Sequence, residues 1–278
     1  MFRFKNMTAR TLLYIVLIIY SFIIIFPIFL MIITSLKKDN KEIFTKPYSL
    51  PESFNLDNFM KLLKISNYER YFLNSIIVTV LSIFFILLCS SLASYVIAKY
   101  RFLGNKFIYI YLLGGLMIPI RLGTINILQI MIKIHLFDNI LSLVIVYTAM
   151  GIPIGVLILT GFIREVPEEL SNAARIDGCS EPQIFYKIIV PLIRPALAAV
   201  AIINFMPIFN DFWFPLILIR SDNMKTVPLA TALLFGQYET QYGLVFAVLT
   251  LASVPAIAFY LILSRQFIKG LSAGALKG

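Results

Sequence analysis

Runs of apolar residues long enough to cross a bilayer decide what this chain can fold into. A hydrocarbon layer of ~30 Å takes about 20 consecutive apolar residues in helical form. Residues 12–36, 76–98, 140–163, 196–219 and 244–263 each supply such a run. Residues 107–120 form a shorter one, which 121–134 extends into a sixth apolar region. Backbone N–H and C=O groups in lipid must be satisfied within the protein, so such runs are read as helices. The expected fold is all-α and membrane-embedded, a single domain over 1–278. Its six transmembrane helices fall at about 12–36, 72–98, 107–124, 140–163, 196–219 and 243–264, with an outer segment at 37–70, a charged loop at 164–195 and a tail at 265–278. Composition agrees: 60% of residues are hydrophobic and 14% charged, against roughly half and a quarter in soluble domains. The longest polar stretch, 37–70, is too short to build a core of its own.

The formal charge of +10 does not point to nucleic acid, because the basic residues sit at the ends of the apolar runs, where membrane proteins place them. Segments 1–10, 99–106 and 265–278 are basic and free of acids, which puts both termini in the cytoplasm. The first run is too long for a secretory signal core and has no small-residue cleavage site before Lys37, so it reads as an uncleaved anchor. Cys89 lies in a span and Cys179 in the charged loop, which argues against a disulfide, and no spacing suggests a metal site. His135 stands alone beside a short amphipathic stretch and is read as a satisfied or interfacial histidine. No catalytic residue is expected.

Packing devices are visible within the spans. Span two carries Ser90, Ser91, Ala93, Ser94 and Ala98, small residues that let helices approach closely. Span four carries Gly151 and Gly155 around Pro153, read as a proline-kinked packing face rather than a moving crossing. In the outer segment, Asn55 and Asp57 cap a short surface helix through Leu63. Span three ends at Pro119, and 121–137 reads as a re-entrant or interfacial segment.

The charged loop has more design than a connector needs. Pro167, Glu168 and Glu169 mark a helix start: a proline in the first turn, then acids at the positive end of the dipole. The helix would run over 167–177, with Leu170, Ala173, Ala174 and Asp177 on one face and Gly178 as its C′ residue. Ser180 with Gln183 forms a capping-box pattern for a second helix to about Ile189, which Pro191 and Pro195 would end. Leu170 and Ile176 are the only large apolar residues of the first helix and lie on opposite sides. That favours docking to a protein over lying flat on lipid.

These residues carry a family resemblance. Asn172-Ala173-Ala174, then Gly178, then Ile188 and Pro191, resembles the EAA motif of permease subunits of binding-protein-dependent ABC importers: Glu-Ala-Ala, three residues, Gly, nine residues, Ile-x-Leu-Pro. The resemblance runs along nearly the whole chain, through Asn74-Ser75, Met117-Ile118-Pro119, Asn210-Asp211-Phe212 and the tail from Phe267 to Ala275. It points to the smaller permease of maltose-type sugar importers and implies the type I ABC importer permease fold. In that family the loop is a coupling helix seated on a cytoplasmic ATPase, which here implicates Asn172, Ala173, Ala174, Asp177, Gly178, Ile188 and Pro191. Two positions depart from the motif: Asn172 stands where the family has glutamate, and Val190 where it has leucine.

The resemblance also implies partners. These are a second, homologous permease in a heterodimer, an ATPase dimer holding ATP and Mg, an extracellular sugar-binding protein, a sugar (di- or oligosaccharide) and lipid, in a bacterial cell membrane. The chain has no Gly-x-x-x-x-Gly-Lys-Ser/Thr, so no cofactor is expected in it. Asn204, Asn210, Asp211 and Trp213 are the candidates for a translocation path or gate, because polar groups inside a membrane are costly unless they serve packing or a pathway. Helix–helix hydrogen bonding is the competing reading of the same residues. Gly236, Gln237 and Tyr238 lie in the outer loop that resembles the segment facing the binding protein. The alternative function is a secondary transporter or channel that works without ATP. An intramembrane enzyme finds no support in paired carboxylates or a Ser/His pair.

Overall fold

The computed structural model describes residues 7–65, 67–237 and 241–275. Its elements are helices α1 (Met7–Ser35), α2 (Asn40–Thr45), α3 (Asp57–Ile65), α4 (Tyr68–Lys99), α5 (Asn105–Gly114), α6 (Thr124–Lys133) and α7 (Ile140–Glu165). They continue with α8 (Glu168–Ile176), α9 (Glu181–Leu192), α10 (Arg194–Phe209), α11 (Trp213–Leu218), α12 (Val227–Gln237) and α13 (Tyr242–Ala275). No strand occurs among the described residues. Arg10–Ser35, Tyr68–Lys99, Ile140–Glu165 and Tyr242–Phe259 are long and apolar enough to cross a membrane, and two bent helix pairs raise the number to six if each is one span.

The chain divides into two compact units, Met1–Tyr68 with Thr231–Val254, and Glu69–Ala230 with Pro255–Gly278. In the first, α1 is exposed along nearly all its length until Ile33, and the segment after it folds back on its C-terminus. The last carbonyls of a helix lack intrahelical partners. Here Asn58 Nδ2 donates to the carbonyls of Ser35 (2.9 Å) and Lys37 (3.0 Å). Lys37 is fully buried, and its Nζ donates to the carbonyls of Lys46 (2.5 Å) and Pro47 (3.1 Å). A Cβ on Gly243 would stand 2.7 Å from Asn58 Nδ2, so only glycine lets α13 begin beside that amide. The surface helix expected from Asn55 is α3, with Asn55 Oδ1 accepting from the Asp57 N–H at 2.7 Å.

The second unit holds the apolar core, which joins α4, α7, α9 and α10 through Ile86, Leu159, Ile163, Ile189 and Val200. The small residues of α4 and α7 meet there. A Cβ on Gly155 would lie 2.6 Å from Ser90 Oγ, and one on Gly151 would lie 2.3 Å from Ile86 Cδ1 and 2.7 Å from Asn204 Oδ1. Ser90 and Ser94 are fully buried against α7, the latter 3.4 Å from the Val156 carbonyl. The glycine pair therefore serves a close crossing.

Two expectations need correction. Residues 196–219 are not one helix: α10 stops at Phe209 and α11 starts at Trp213. Pro215 has no N–H to reach the Asp211 carbonyl, so a continuous helix loses a bond at that point. The second loop helix does not end before Pro191. Its Phe185–Ile189 turn is a π-helix that widens the register, and the Val190 N–H returns to the Phe185 carbonyl. The chain turns only at Ile193, where α9 and α10 meet at 74°. The tail is helical too, since α13 runs to Ala275. Between α5 and α6, Gly114, Gly115 and Pro119 accompany an 84° bend, so 120–133 leaves the line of the preceding helix nearly at a right angle.

Gly155→Leu should cost roughly 1–3 kcal/mol through overpacking against Ser90. Thermal melts of the solubilised chain check this, with Gly161→Ala as the control that loses nothing, because no atom lies within 4 Å of that position.

Candidate functional site

The loop between α7 and α10 forms from its own caps. Pro167 takes the N-cap position of α8 with Glu168 and Glu169 in the first turn. Gly178 sits at φ +81°, the left-handed conformation that ends a helix cheaply only with glycine. The Asp177 and Cys179 N–H groups close the end on the carbonyls of Ala173 (3.0 Å) and Ala174 (2.9 Å). At α9 the expected capping box forms, with the Ser180 side chain on the Gln183 backbone and the Ser180 N–H donating to Gln183 Oε1 at 2.8 Å.

One carboxylate fastens this loop to the spans. Glu181 Oε1 accepts from Arg175 Nε at 2.7 Å, and Oε2 accepts from the hydroxyls of Tyr95 (2.9 Å) and Tyr100 (2.5 Å). The Arg175 hydrogen bond, followed by that from Tyr100, pulls the Glu181 carboxyl down to about 2. Arg175 Nη1 also donates to Asn172 Oδ1 at 2.7 Å, so the residue standing in the glutamate position is held within the loop. Next to this cluster, Lys99 Nζ donates to the Val166 carbonyl at 2.5 Å and ties the end of α4 to the end of α7.

The coupling candidates divide between two faces. Asn172, Ala173, Asp177 and Gly178 are exposed, together with Leu170 and Ile176, the last 86% exposed. Ala174 is buried in the apolar cluster with Ile184 and Phe185, and Ser171 is buried one turn before it. The expected single face with Ala173 and Ala174 side by side is corrected: adjacent helical residues point about 100° apart, and the chain's own core takes Ala174. Ile188 and Pro191 are half-buried on α9.

The path candidates gather where 196–219 breaks. Asp211 Oδ2 accepts from the Tyr147 hydroxyl (2.8 Å) and the Phe214 N–H (3.0 Å), so it caps α11 and anchors it to α7. Trp213 Nε1 donates to Thr124 Oγ1 at 3.0 Å, and the Arg121 guanidinium lies 5.9 Å from the centre of its ring. Asn210 is exposed, its amide 3.8 Å from Met206 Sδ. Asn204 leaves the group: it is buried against Gly151, with Nδ2 on the Val200 carbonyl at 2.8 Å, which is helix packing.

Beyond α11, Asp138 Oδ1 accepts from the N–H groups of Arg220 and Ser221, both at 2.8 Å. Asn74 Nδ2 reaches the carbonyls of Asn223 (2.8 Å) and Lys225 (3.0 Å), and Ser75 Oγ accepts from the Val227 N–H at 2.8 Å. The Asn74-Ser75 pair thus holds the segment 223–227 that leads into α12. Gly236 and Gln237 end α12, while Tyr238 lies outside the described residues. No group of His, Cys, Asp and Glu suited to a metal occurs among the described residues.

Comparison with known proteins adds a family. The family described as binding-protein-dependent transport system inner membrane component matches residues 90–272. A putative ABC transporter permease of Caldicellulosiruptor sp. is 34% identical over 95% of this chain and 96% of its own. The arabinooligosaccharides transport system permease protein AraQ of Halalkalibacterium halodurans is 34% identical, covering 93% of each. The diacetylchitobiose uptake system permease protein NgcG of Streptomyces coelicolor is 31% identical over 94% of this chain and 87% of its own. In fold, the chain is similar to a subunit in the crystal structure of a bacterial ABC transporter that imports the acidic polysaccharide alginate, at TM-score 0.80 and 20% identity, covering 96% and 100%. The chain belongs to this family of inner membrane transport components, and it is a multi-pass membrane protein.

Two outcomes are expected of the site. Because Glu181 is depressed, its contribution is complete above the unfolded carboxyl value of about 4.3 and is lost as pH falls toward about 2. The melting advantage of the wild type over Glu181→Gln should follow that window in scanning fluorimetry. Asp211→Ala removes a cap and leaves the Tyr147 hydroxyl unpaired, a loss of about 2 kcal/mol, while Asp211→Asn should keep most of it.

Proposed function

We propose that the chain is a membrane-spanning subunit of an ATP-driven importer, and that the exposed side of α8 is where a separate cytoplasmic ATPase takes hold. The observation that carries this reading is the contrast within one nine-residue helix. Its inner side is locked by Ala174 and by the Arg175–Glu181 bridge, while Leu170, Ala173 and Ile176 are exposed, Ile176 to 86%. Unpaired apolar residues at this spacing on a rigid support suit a protein groove.

Force applied to α8 passes through Glu181 to Tyr95 at the end of α4, and along α9 to the 74° bend that leads into α10. Motion in α10 reaches the break at 210–212, where Asp211 and Trp213 hold α11 to α7 and α6. Closing and opening that break would expose the path alternately to the two sides of the membrane. Asn210, Asp211 and Trp213 thus act near the outer mouth, with gating and support ahead of sugar contact.

The solute is a sugar, a di- or oligosaccharide, delivered by an extracellular binding protein. Support comes from relatives whose names give arabinooligosaccharides and diacetylchitobiose, and from a neighbour in fold solved with a pentasaccharide-bound periplasmic protein. A second permease completes the pathway, and α1, exposed along its length, offers it a surface. Asn172, Ala173, Asp177 and Gly178 form the ATPase-facing edge, and Gly236, Gln237 and Tyr238 lie toward the binding protein. Both termini are cytoplasmic.

Ile176→Asp and Ala173→Trp alter exposed positions and should leave the spans folded. Pull-down of the ATPase and sugar-dependent ATP hydrolysis should each fall by about tenfold or more, the change that ~1.4 kcal/mol brings. Uptake that persists at full rate in both variants and without ATP would return the chain to the secondary-transporter reading.

A further inference from the structure

Beside the Glu181 cluster lies a groove of about 480 Å³ lined by Leu92, Tyr95, Val96, Tyr100, Glu181, Pro182, Phe185 and Tyr186. We propose that this groove seats a membrane phospholipid with an ammonium headgroup, its head on Glu181 and the tyrosines and the upper part of one acyl chain along Leu92 and Val96.

Three features lead to this occupant. The first is depth. Leu92 and Val96 lie on the last turns of the membrane-spanning α4, which ends at Lys99, whereas Glu181 and Pro182 lie on the loop beyond. The groove therefore begins at the level of lipid chains and ends at the level of headgroups. Leu92 is 43% and Val96 44% exposed, so its lower wall is apolar and open sideways.

The second is charge. Glu181 is the one charged residue lining the groove, and it is an acceptor. Its Oε2 already receives both tyrosine hydroxyls, while Oε1 receives only the Arg175 Nε–H and has a lone pair to spare. An ammonium head gains a charge-assisted hydrogen bond there, a hydroxyl head only a weaker one, and a phosphate alone meets a like charge.

The third is the ring arrangement. Tyr95 packs edge-on to Tyr100 at 5.8 Å and tilted to Phe185 at 5.3 Å, and Phe185 meets Tyr186 edge-on at 5.1 Å. Four aromatic rings beside a carboxylate form the surroundings that favour an ammonium group. The volume suits a headgroup with part of a chain. A lipid seated here would bridge α4 and α9, next to the carboxylate that fastens the loop.

Native mass spectrometry of the full-length chain, stripped of lipid in detergent, tests the proposal. Titration with phosphatidylethanolamine should show one saturable adduct, with phosphatidylglycerol weaker by about tenfold or more. Val96→Trp fills the groove at a half-exposed position and should abolish the adduct. Glu181→Gln should weaken it by about tenfold. Equal retention of phosphatidylglycerol, or an adduct that survives Val96→Trp, would overturn the proposal. Glycerophosphoethanolamine should fail to displace the lipid at equal concentration, and displacement by it would assign the groove to a soluble amine instead. None of these readings depends on transport.

Discussion

A bilayer offers no water to a broken helix, and the rest of this structure follows from that constraint. Each interruption of the spans must find partners for the backbone groups it frees. At 210–212 the rescue comes from Asp211, which takes the Phe214 N–H and at the same time the Tyr147 hydroxyl. Before Pro191 it comes from a π turn, and the chain bends only afterwards. The carbonyls that end α1 are answered by Asn58. Polar residues at membrane depth here are distributed by the needs of the backbone first. What they contribute to a pathway is built on top of that.

The charged loop shows the same economy. Glu181 carries the bonds that fix α8, α9 and the end of α4, and its four donors come from Arg175 nearby and from Tyr95 and Tyr100 in a distant part of the chain. An exposed ion pair alone contributes little. Flanked by two tyrosine hydroxyls and a bidentate guanidinium, this one becomes a geometric fixture. The Arg121–Trp213–Thr124 contact has a parallel role at the break, joining the bend after α5 to α11.

How far the sequence foretold this depends on the range of the forces involved. Pro167, Ser180, Gln183 and Gly178 act within a turn or two, and the loop helices formed where those residues said they would. The break in 196–219 was hidden by composition: the stretch is apolar enough to pass for one span, although Pro215 stands four residues after Asp211 and is the visible cue. Tyr95 and Tyr100 were not legible at all, because they stand 86 and 81 positions from Glu181 in the sequence. The choice between Ala173 and Ala174 was equally closed to periodicity. Both are small, and only the packed core decides which one turns in.

Asn172 has a consequence for the speed and cost of assembly. With its amide oxygen on Arg175 and Arg175 on Glu181, the helix is complete before anything docks. A partner docking there, as proposed, would meet a finished surface with little ordering entropy left to lose. A glutamate at 172 would bring a second carboxylate to Arg175 and divide that guanidinium between two claims. The asparagine adds no charge of its own beside the exposed Asp177, so salt should matter less to the proposed encounter than it would with a second carboxylate on that edge.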